Sequence, residues 1–234
     1  MDIFAFPYAF GNSSIFFELK KELSPGINLV PFDYPGHGMR LSEDLLYTIE
    51  EIADDAFVQI RDKTIKPYSL LGYSMGCLVV FELFKILRRR GMRLPSFIIL
   101  MAHDGNGVRF EKEQFCNFGT DDARRILSEY GETSKLVLNN DEMMRILTPI
   151  VKADSIALRD YRCEAVSNDE SSGTRIIIVR GNKEKDHNCR SNWEEAFKKK
   201  AALFEMDGGH FFLFDKERDN VSKFKKIINC CMLM

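Results

Sequence analysis

The sequence predicts an α/β protein with a mostly parallel central sheet flanked by helices. Two observations predict it: short apolar segments alternate with longer amphipathic segments along most of the chain, and several of the short segments are continuous apolar runs. Such runs are typical of strands that are buried on both faces of a sheet. The length of 234 residues allows one domain with a modest insertion.

The first four elements are bounded by turn and capping residues. A strand over Asp2–Phe6 is a short apolar run that stops at a proline, and a helix over Ile15–Leu23 repeats apolar residues at helical spacing after Asn and Ser caps. The next strand, Asn28–Pro31, is closed by a proline and a Pro-Gly turn. The helix Thr48–Lys63 starts with acidic residues and carries one apolar stripe, which suits a helix packed on a sheet.

The centre of the chain holds the most apolar elements. Ser69–Tyr73 and Phe97–Met101 are apolar runs of strand length, and the helix Cys77–Arg90 between them is apolar almost all round over its first three turns. We therefore expect that helix to be buried at its start. The last four elements repeat the alternation: strand Arg175–Val179, helix Ser191–Lys200, strand Ala202–Met206 and helix Asn220–Asn229.

The stretch from about Phe110 to Tyr161 interrupts this alternation. It contains no strand-like run, and its helical patches are Asp121–Tyr130, Ser134–Leu138 and Asp141–Asp160. We predict that residues 110–161 form a helical lid inserted into a core of residues 1–109 and 162–234. Periodicity alone allows extra scaffold as well as a cover over a site.

Composition excludes several functional classes. Because 33 basic residues balance 35 acidic ones, the chain lacks the charge footprint of a nucleic-acid binder. No run approaches the roughly 18 apolar residues of a membrane span, and no signal peptide is visible. The six cysteines form no CxxC and have no metal-ligand spacing with the four histidines. We expect a cytoplasmic protein with reduced thiols, no metal and no cofactor.

The sequence Gly72-Tyr73-Ser74-Met75-Gly76 matches the pattern G-x-S-x-G between a buried strand and a long helix. In that setting the serine sits on a sharp turn, with its Oγ above the sheet and close to a helix N-terminus. Ser74 is therefore the candidate nucleophile of a hydrolase.

A serine nucleophile needs a base, and His210 is the candidate. It follows the last strand and two glycines, where the chain order Ser, acid, His puts the base. His103 and His187 do not fit that order, and His37 in its Pro-Gly turn is expected at the surface. The oxyanion hole is expected to use the amide of Met75 and an amide of the loop after the first strand, from Ala9 or Phe10.

Taken together, these motifs resemble the external (type II) thioesterases of nonribosomal peptide and polyketide pathways, a branch of the α/β-hydrolase fold. The matching segments are residues 6–11, 34–40, 72–76 and 208–212, with Trp193 and the Ala153-Asp154 pair near the end of the helical block. The resemblance implies a Ser-His-acid mechanism acting on acyl groups that carrier proteins bear on phosphopantetheine. It also implies a monomer.

Two departures from that family stand out. Phe10 replaces the first glycine of the usual Ala-Gly-Gly-Ser loop, and the family's aspartate, three residues after the glycine ending the penultimate strand, is Glu184 here. Asp186 is the next candidate acid. The third is Asp104, because integrated thioesterase domains carry their acid near that place.

The acidic carrier proteins that the resemblance implies would favour a basic docking surface. The visible clusters are Arg88–Arg90 with Arg93, and Lys198–Lys200, although solvated helix ends, where cations are favoured, are the simpler explanation of both. Two other functions remain open at this point. One is a carboxylesterase of the same fold that acts on small esters, and the other is a non-catalytic binding protein with a degenerate site.

Overall fold

The computed structural model describes residues 1–105, 117–130, 133–167, 173–184, 188–215 and 219–233. Within them, six parallel strands form one sheet in the order β2-β1-β3-β4-β5-β6. The strands are β1 (Asp2–Phe6), β2 (Asn28–Pro31), β3 (Tyr68–Tyr73), β4 (Phe97–Met101), β5 (Arg175–Gly181) and β6 (Ala201–Met206). The predicted α/β class with a parallel sheet is confirmed.

Eight α-helices accompany the sheet in the described part of the chain, and none of them is long and apolar enough to cross a membrane. They are α1 (Phe17–Glu22), α2 (Ile49–Ile60), α3 (Met75–Arg89), α4 (Thr120–Tyr130), α5 (Lys135–Leu138), α6 (Asp141–Asp160), α7 (Cys189–Phe197) and α8 (Asn220–Leu233).

Most predicted helices differ from the observed ones at their ends; α8, for example, continues to Leu233 instead of ending at Asn229. Three others show the physical reasons. The helix expected over Ile15–Leu23 is a 3-10 turn over Ser13–Phe16 followed by α1, because the Asn12 side chain accepts the Ser14 amide and starts a tight turn. The helix expected to reach Lys63 ends as α2 and continues as a 3-10 turn. The helix expected to reach Lys200 ends as α7, because Lys198 takes a left-handed conformation with φ 52°.

Helices cover both faces of the sheet, and successive side chains of β1 point alternately into the core on one face and the core on the other. Phe4 and Phe6 point into a core shared with α2, α3 and α7, whereas Ile3 and Ala5 point into a core shared with α1 and α8. Burial on both faces explains why the strands are almost uniformly apolar.

Helices α4 and α6 share a small apolar cluster of their own, which includes Ala123, Ile126 and Val151 and against which Phe10 packs. The end of α6 joins the main core through Leu158. Residues 106–116 lie outside the described residues, so the start of the predicted lid at residue 110 stays a prediction.

The strand order predicts a binding crevice beside the ends of β1 and β3. The chain runs from β1 outward to β2 on one side and then continues from β3 toward β6 on the other, so the order reverses between β1 and β3. In open parallel sheets, ligands bind at such a reversal, outside the carboxyl ends of the strands. The loop after β1 and the turn after β3 both begin there, in register at Phe6 and Gly72.

Candidate active site

Ser74 occupies a strained turn between β3 and α3. Its backbone has φ 52° and ψ −117°, in a region that few non-glycine residues adopt, and its side chain is nearly buried. The flanking glycines are sterically required. A Cβ on Gly72 would lie 2.3 Å from the carbonyl oxygen of Gly76, and one on Gly76 would lie 2.2 Å from that of Phe6. The turn therefore fits tightly between the strand, the helix and the loop after β1.

His210 comes from the loop after β6 and meets the serine. Its Nε2 lies 3.0 Å from Ser74 Oγ, and its Nδ1 lies 3.1 Å from Glu184 Oε1. A carboxylate facing Nδ1 keeps the proton on that nitrogen, so Nε2 is left free to accept the serine hydroxyl. The Tyr73 hydroxyl donates to the His210 carbonyl oxygen at 2.6 Å and fixes the loop, and burial, with a smaller effect of the Glu184 charge, raises the pKa of Tyr73.

Glu184 is held by the loop after β5. Its Oε2 accepts the Gly181 amide at 2.8 Å while its Oε1 faces His210. The Lys183 amide donates to the Gly208 carbonyl oxygen at 2.9 Å, which joins this loop to the one that carries the histidine. A Cβ on Gly181 would lie 2.4 Å from the Gly209 carbonyl oxygen, so glycine is needed where the two loops meet.

The two other candidate acids are placed differently. Asp104 follows β4, and its Oδ1 lies 3.7 Å from Nδ1 of the neighbouring His103. Asp186 and His187 lie outside the described residues. Glu184 is thus the carboxylate that His210 meets in the part of the chain that the structure describes.

The two candidate oxyanion donors of the loop after β1 have different surroundings. The Phe10 amide donates to Asp154 Oδ2 at 2.6 Å and is therefore already engaged. The Ala9 amide has no recorded acceptor among the described residues. Met75 is the first residue of α3, where amides lack an intrahelical partner. Among the described residues, the amides of Met75 and Ala9 are thus left without an acceptor, and the role of both stays a prediction.

Asp154 and His37 are the residues that sequence reasoning missed. His37, expected at the surface, is only 3% exposed, and its Nε2 lies 3.1 Å from Asp154 Oδ2. That expectation was wrong because α6 covers the Pro-Gly turn. The sequence does contain a signal for a buried polar contact at Asp154, because this residue interrupts the apolar stripe of α6. That stripe is formed by Ile150, Val151, Ala157 and Leu158.

The His37 imidazole faces an acceptor at each nitrogen. Nδ1 lies 2.9 Å from the Pro35 carbonyl oxygen, so it must carry a proton, and Nε2 faces Asp154. Burial lowers the pKa of His37, but the charge and hydrogen bond of Asp154, the Pro35 carbonyl and Asp33 together raise it above its ordinary value. The acceptors at both ring nitrogens and this direction favour a protonated imidazole beside the Asp154 carboxylate.

The basic clusters lie far from this site. Helix α3 starts beside Ser74, and its 15 residues put Arg89 about 21 Å away along the axis. Lys198–Lys200 directly precede β6, so they lie at the amino edge of the sheet. Both clusters are thus at the edge opposite the nucleophile. Their cations pair locally, for example Lys200 with Glu194 at 3.2 Å.

In the part of the chain that the structure describes, His, Cys, Asp and Glu side chains form no cluster able to hold a metal ion. That the site works without a metal or cofactor stays a prediction.

The chain is similar to known proteins over almost its whole length. It is 25% identical over 221 residues to the gramicidin S biosynthesis protein GrsT of Aneurinibacillus migulanus, covering 94% of this chain and 85% of that protein. It is 28% identical over 219 residues to the phenyloxazoline synthase MbtB of Mycobacterium tuberculosis, covering 91% of this chain but only 15% of that much longer protein.

Among solved structures, the RedJ thioesterase from the prodiginine pathway of Streptomyces coelicolor superimposes with a TM-score of 0.83 at 20% identity, covering 99% of this chain and 90% of that one. This likeness establishes the α/β-hydrolase fold that the sequence resemblance implied. The family model of the thioesterase domain matches residues 1–228. Because that match spans nearly all 234 residues, the chain belongs to the thioesterase domain family.

Proposed function

We propose that this thioesterase hydrolyses acyl groups from the phosphopantetheine thiol of a carrier protein in nonribosomal peptide or polyketide synthesis, with Ser74, His210 and Glu184 as its catalytic triad. The observation that carries the proposal is the pair of hydrogen-bond contacts from Ser74 Oγ through His210 to Glu184, within a chain of the thioesterase family. The similarity to the gramicidin S biosynthesis protein GrsT supports the choice of pathway.

In the acylation step, Ser74 Oγ attacks the thioester carbonyl carbon while His210 Nε2 takes its proton. The carbonyl electrons move to oxygen, and the amides of Met75 and Ala9 donate to that oxyanion. When the tetrahedral intermediate collapses, the C–S bond breaks and the leaving sulfur takes the proton from His210. The acyl group is then an ester of Ser74.

In the deacylation step, His210 takes a proton from water, whose oxygen attacks the acyl-serine. Collapse of this second intermediate breaks the C–O bond to Ser74, which recovers its proton from His210. Glu184 stabilises the imidazolium that forms in each half-reaction and holds the ring in the working tautomer. No step needs a metal or a cofactor, and all the groups come from one chain, so we propose that a monomer is active.

We propose that the carrier protein approaches the carboxyl edge of the sheet, where Ser74 lies. The clusters Arg88–Arg90 and Lys198–Lys200 are not part of this surface, because they lie at the other edge. The free thiol and the free acid are the products.

The decisive experiment compares hydrolysis of an acyl group loaded on a carrier protein with hydrolysis of a small aryl ester of the same acyl chain. We expect a kcat/KM at least tenfold higher for the carrier-bound thioester, and loss of both activities in Ser74→Ala. A large preference for the free ester would make the protein a carboxylesterase instead. Failure of the folded wild type to be labelled at Ser74 by a fluorophosphonate would indicate a non-catalytic site.

A further inference from the structure

Asp154 lies where the helical block meets the catalytic core. It is on α6, its side chain is fully buried, and one oxygen, Oδ2, accepts from both the Phe10 amide and His37 Nε2. The other oxygen, Oδ1, has no hydrogen-bond partner among the described residues. Burying a carboxylate costs several kcal/mol unless it is paired, and Asp154 finds its partners in His37 and the Phe10 amide.

The backbone conformation of Phe10 is strained and has to be stabilised by contacts with other parts of the chain. Its φ of 68° lies in the left-handed region, which costs a non-glycine residue about 1–2 kcal/mol. Two contacts from the helical block keep it there: Asp154 takes its amide, and the ring of Tyr130 on α4 meets its ring edge to face at 5.3 Å. The rest of the loop is fixed from the core side, where the Tyr34 hydroxyl donates to the Pro7 carbonyl oxygen at 2.8 Å.

We propose that Asp154 and His37 are positioning residues for the oxyanion hole: by holding Phe10 in its left-handed conformation they aim the preceding amide, that of Ala9, at the thioester oxygen. This inference rests on the proposed function. Since Asp154 belongs to α6, the second oxyanion donor is in place only while α6 is seated on the core.

Protonation of His37 also has an electrostatic effect on the oxyanion hole. A lone carboxylate so close to the oxyanion loop would repel the negative charge that develops on the substrate oxygen, and a low-dielectric site strengthens that repulsion. A protonated His37 balances the charge of Asp154, so the pair can hold the oxyanion loop without repelling the negative charge on the substrate oxygen. The other ionisable groups near the pair are Asp33, which raises the pKa of His37, the buried Tyr34 and the half-buried Tyr130. Burial, and to a smaller extent Asp154, raises the pKa values of both tyrosines.

The experiment compares Asp154→Ala, Asp154→Asn and His37→Gln with the wild type, using the carrier-bound thioester and the rate of Ser74 phosphonylation by a fluorophosphonate. The phosphoryl oxygen of that reagent occupies the oxyanion hole, so its rate reports on the hole together with the Ser74–His210 pair and is independent of carrier-protein binding. We expect Asp154→Ala to lower kcat and the labelling rate by about 10- to 100-fold, bounded by the roughly 10²–10³-fold effect of deleting one donor, with KM within about twofold.

The other two substitutions separate the roles of hydrogen bond and charge. Asp154→Asn is expected to lose less than Asp154→Ala, because its amide oxygen still accepts from Phe10. His37→Gln is expected to lower kcat while keeping KM, because it leaves the charge of Asp154 uncompensated.

Glu82→Gln provides the matched control. Glu82 is another buried carboxylate that ties the helical block to the core, through a 2.8 Å hydrogen bond from the Tyr161 hydroxyl, but the oxyanion loop is not among its contacts. Its loss of kcat should stay within about twofold even if stability falls. If Asp154→Ala does not fold, Asp154→Asn and the double variant Phe10→Gly/Asp154→Asn decide the question. Glycine adopts φ 68° without strain, so the double variant should recover part of whatever labelling rate Asp154→Asn loses.

The proposal is overturned if the folded Asp154 variants keep kcat and labelling rate within twofold of the wild type, if their losses equal that of Glu82→Gln, or if glycine at position 10 restores nothing. Failure of the proposed function itself would look different. In that case the wild type would neither hydrolyse the thioester nor be labelled at Ser74.

Discussion

Replacing Glu184 by glutamine should disable the site without changing its shape. The carboxylate uses both oxygens as acceptors, Oε1 for His210 Nδ1 and Oε2 for the Gly181 amide at 2.8 Å. A glutamine has one oxygen and one NH₂ group. If its oxygen stays on the Gly181 amide, its NH₂ faces Nδ1 and moves the imidazole proton to Nε2, which then points an N–H at Ser74 and cannot act as a base.

The size of the effect follows from that tautomer. The equivalent Asp→Asn change in a serine protease triad, which leaves the geometry intact, lowers kcat about 10⁴-fold. Because each factor of ten is 1.36 kcal/mol, about 5.4 kcal/mol of transition-state stabilisation should be lost here. The bond to Gly181 favours this outcome, since a backbone amide cannot turn to accept from the NH₂ group.

The assay is steady-state hydrolysis of the carrier-bound thioester by Glu184→Gln, with Asp104→Asn and Asp186→Asn as matched controls that each remove one of the other candidate charges. Thermal unfolding checks that all three variants fold. We expect the two controls to stay within about twofold of the wild type. The reasoning is refuted if Glu184→Gln retains a tenth or more of kcat, or if either control falls as far.

Three further outcomes follow from packing, charge and distance. Gly76→Ala should lower the free energy of unfolding by about 3 kcal/mol or more in urea denaturation, because its Cβ would meet the Phe6 carbonyl oxygen at 2.2 Å. Gly173→Ala, whose Cβ would have no atom of the described residues within 4 Å, should change it little. Because the pKa of His37 is raised in the folded state, protonation of His37 stabilises the fold fully below its ordinary pKa of 6.5, and this stabilisation is lost as the pH rises through the folded-state pKa. The difference in free energy of unfolding between wild type and His37→Gln should therefore narrow as the pH rises, and a widening difference would contradict the ion pair. Reversing the charges of Arg88 and Arg89 should leave kcat/KM for the carrier-bound substrate within about twofold, whereas a tenfold loss would move the docking surface to the far edge.

The strands were predictable almost to the residue because their signals are local. Each predicted strand overlaps an observed one, and Asp2–Phe6, Asn28–Pro31 and Phe97–Met101 have the same ends in both. Apolar runs bounded by Pro and Gly carry that information within a few residues. Helix ends were less predictable, since left-handed residues such as Lys198 have no marker when they are not glycine.

The contacts of Asp154 were not predictable, because they join distant parts of the chain. Asp154 is 117 residues from His37 and 144 from Phe10. Periodicity puts Asp154 on the buried stripe of α6 but says nothing about which donors it meets. The resemblance to the type II thioesterases narrowed the partner of His210 to three carboxylates, and the geometry of the loop after β5 brings Glu184 to Nδ1.

The two departures from the family pattern, Glu184 and Phe10, are both stabilised by an additional hydrogen bond. Glutamate in place of aspartate adds a methylene, which would leave the carboxylate loosely held, but Glu184 folds back onto the Gly181 amide and is fixed by its own turn. Phenylalanine in place of glycine adds a strained backbone, but the Phe10 amide is fixed by Asp154. Each irregular residue is thus held by one further hydrogen bond, made in the first case within the loop and in the second by α6. The acid should therefore tolerate displacement of the helical block, whereas the oxyanion loop should not.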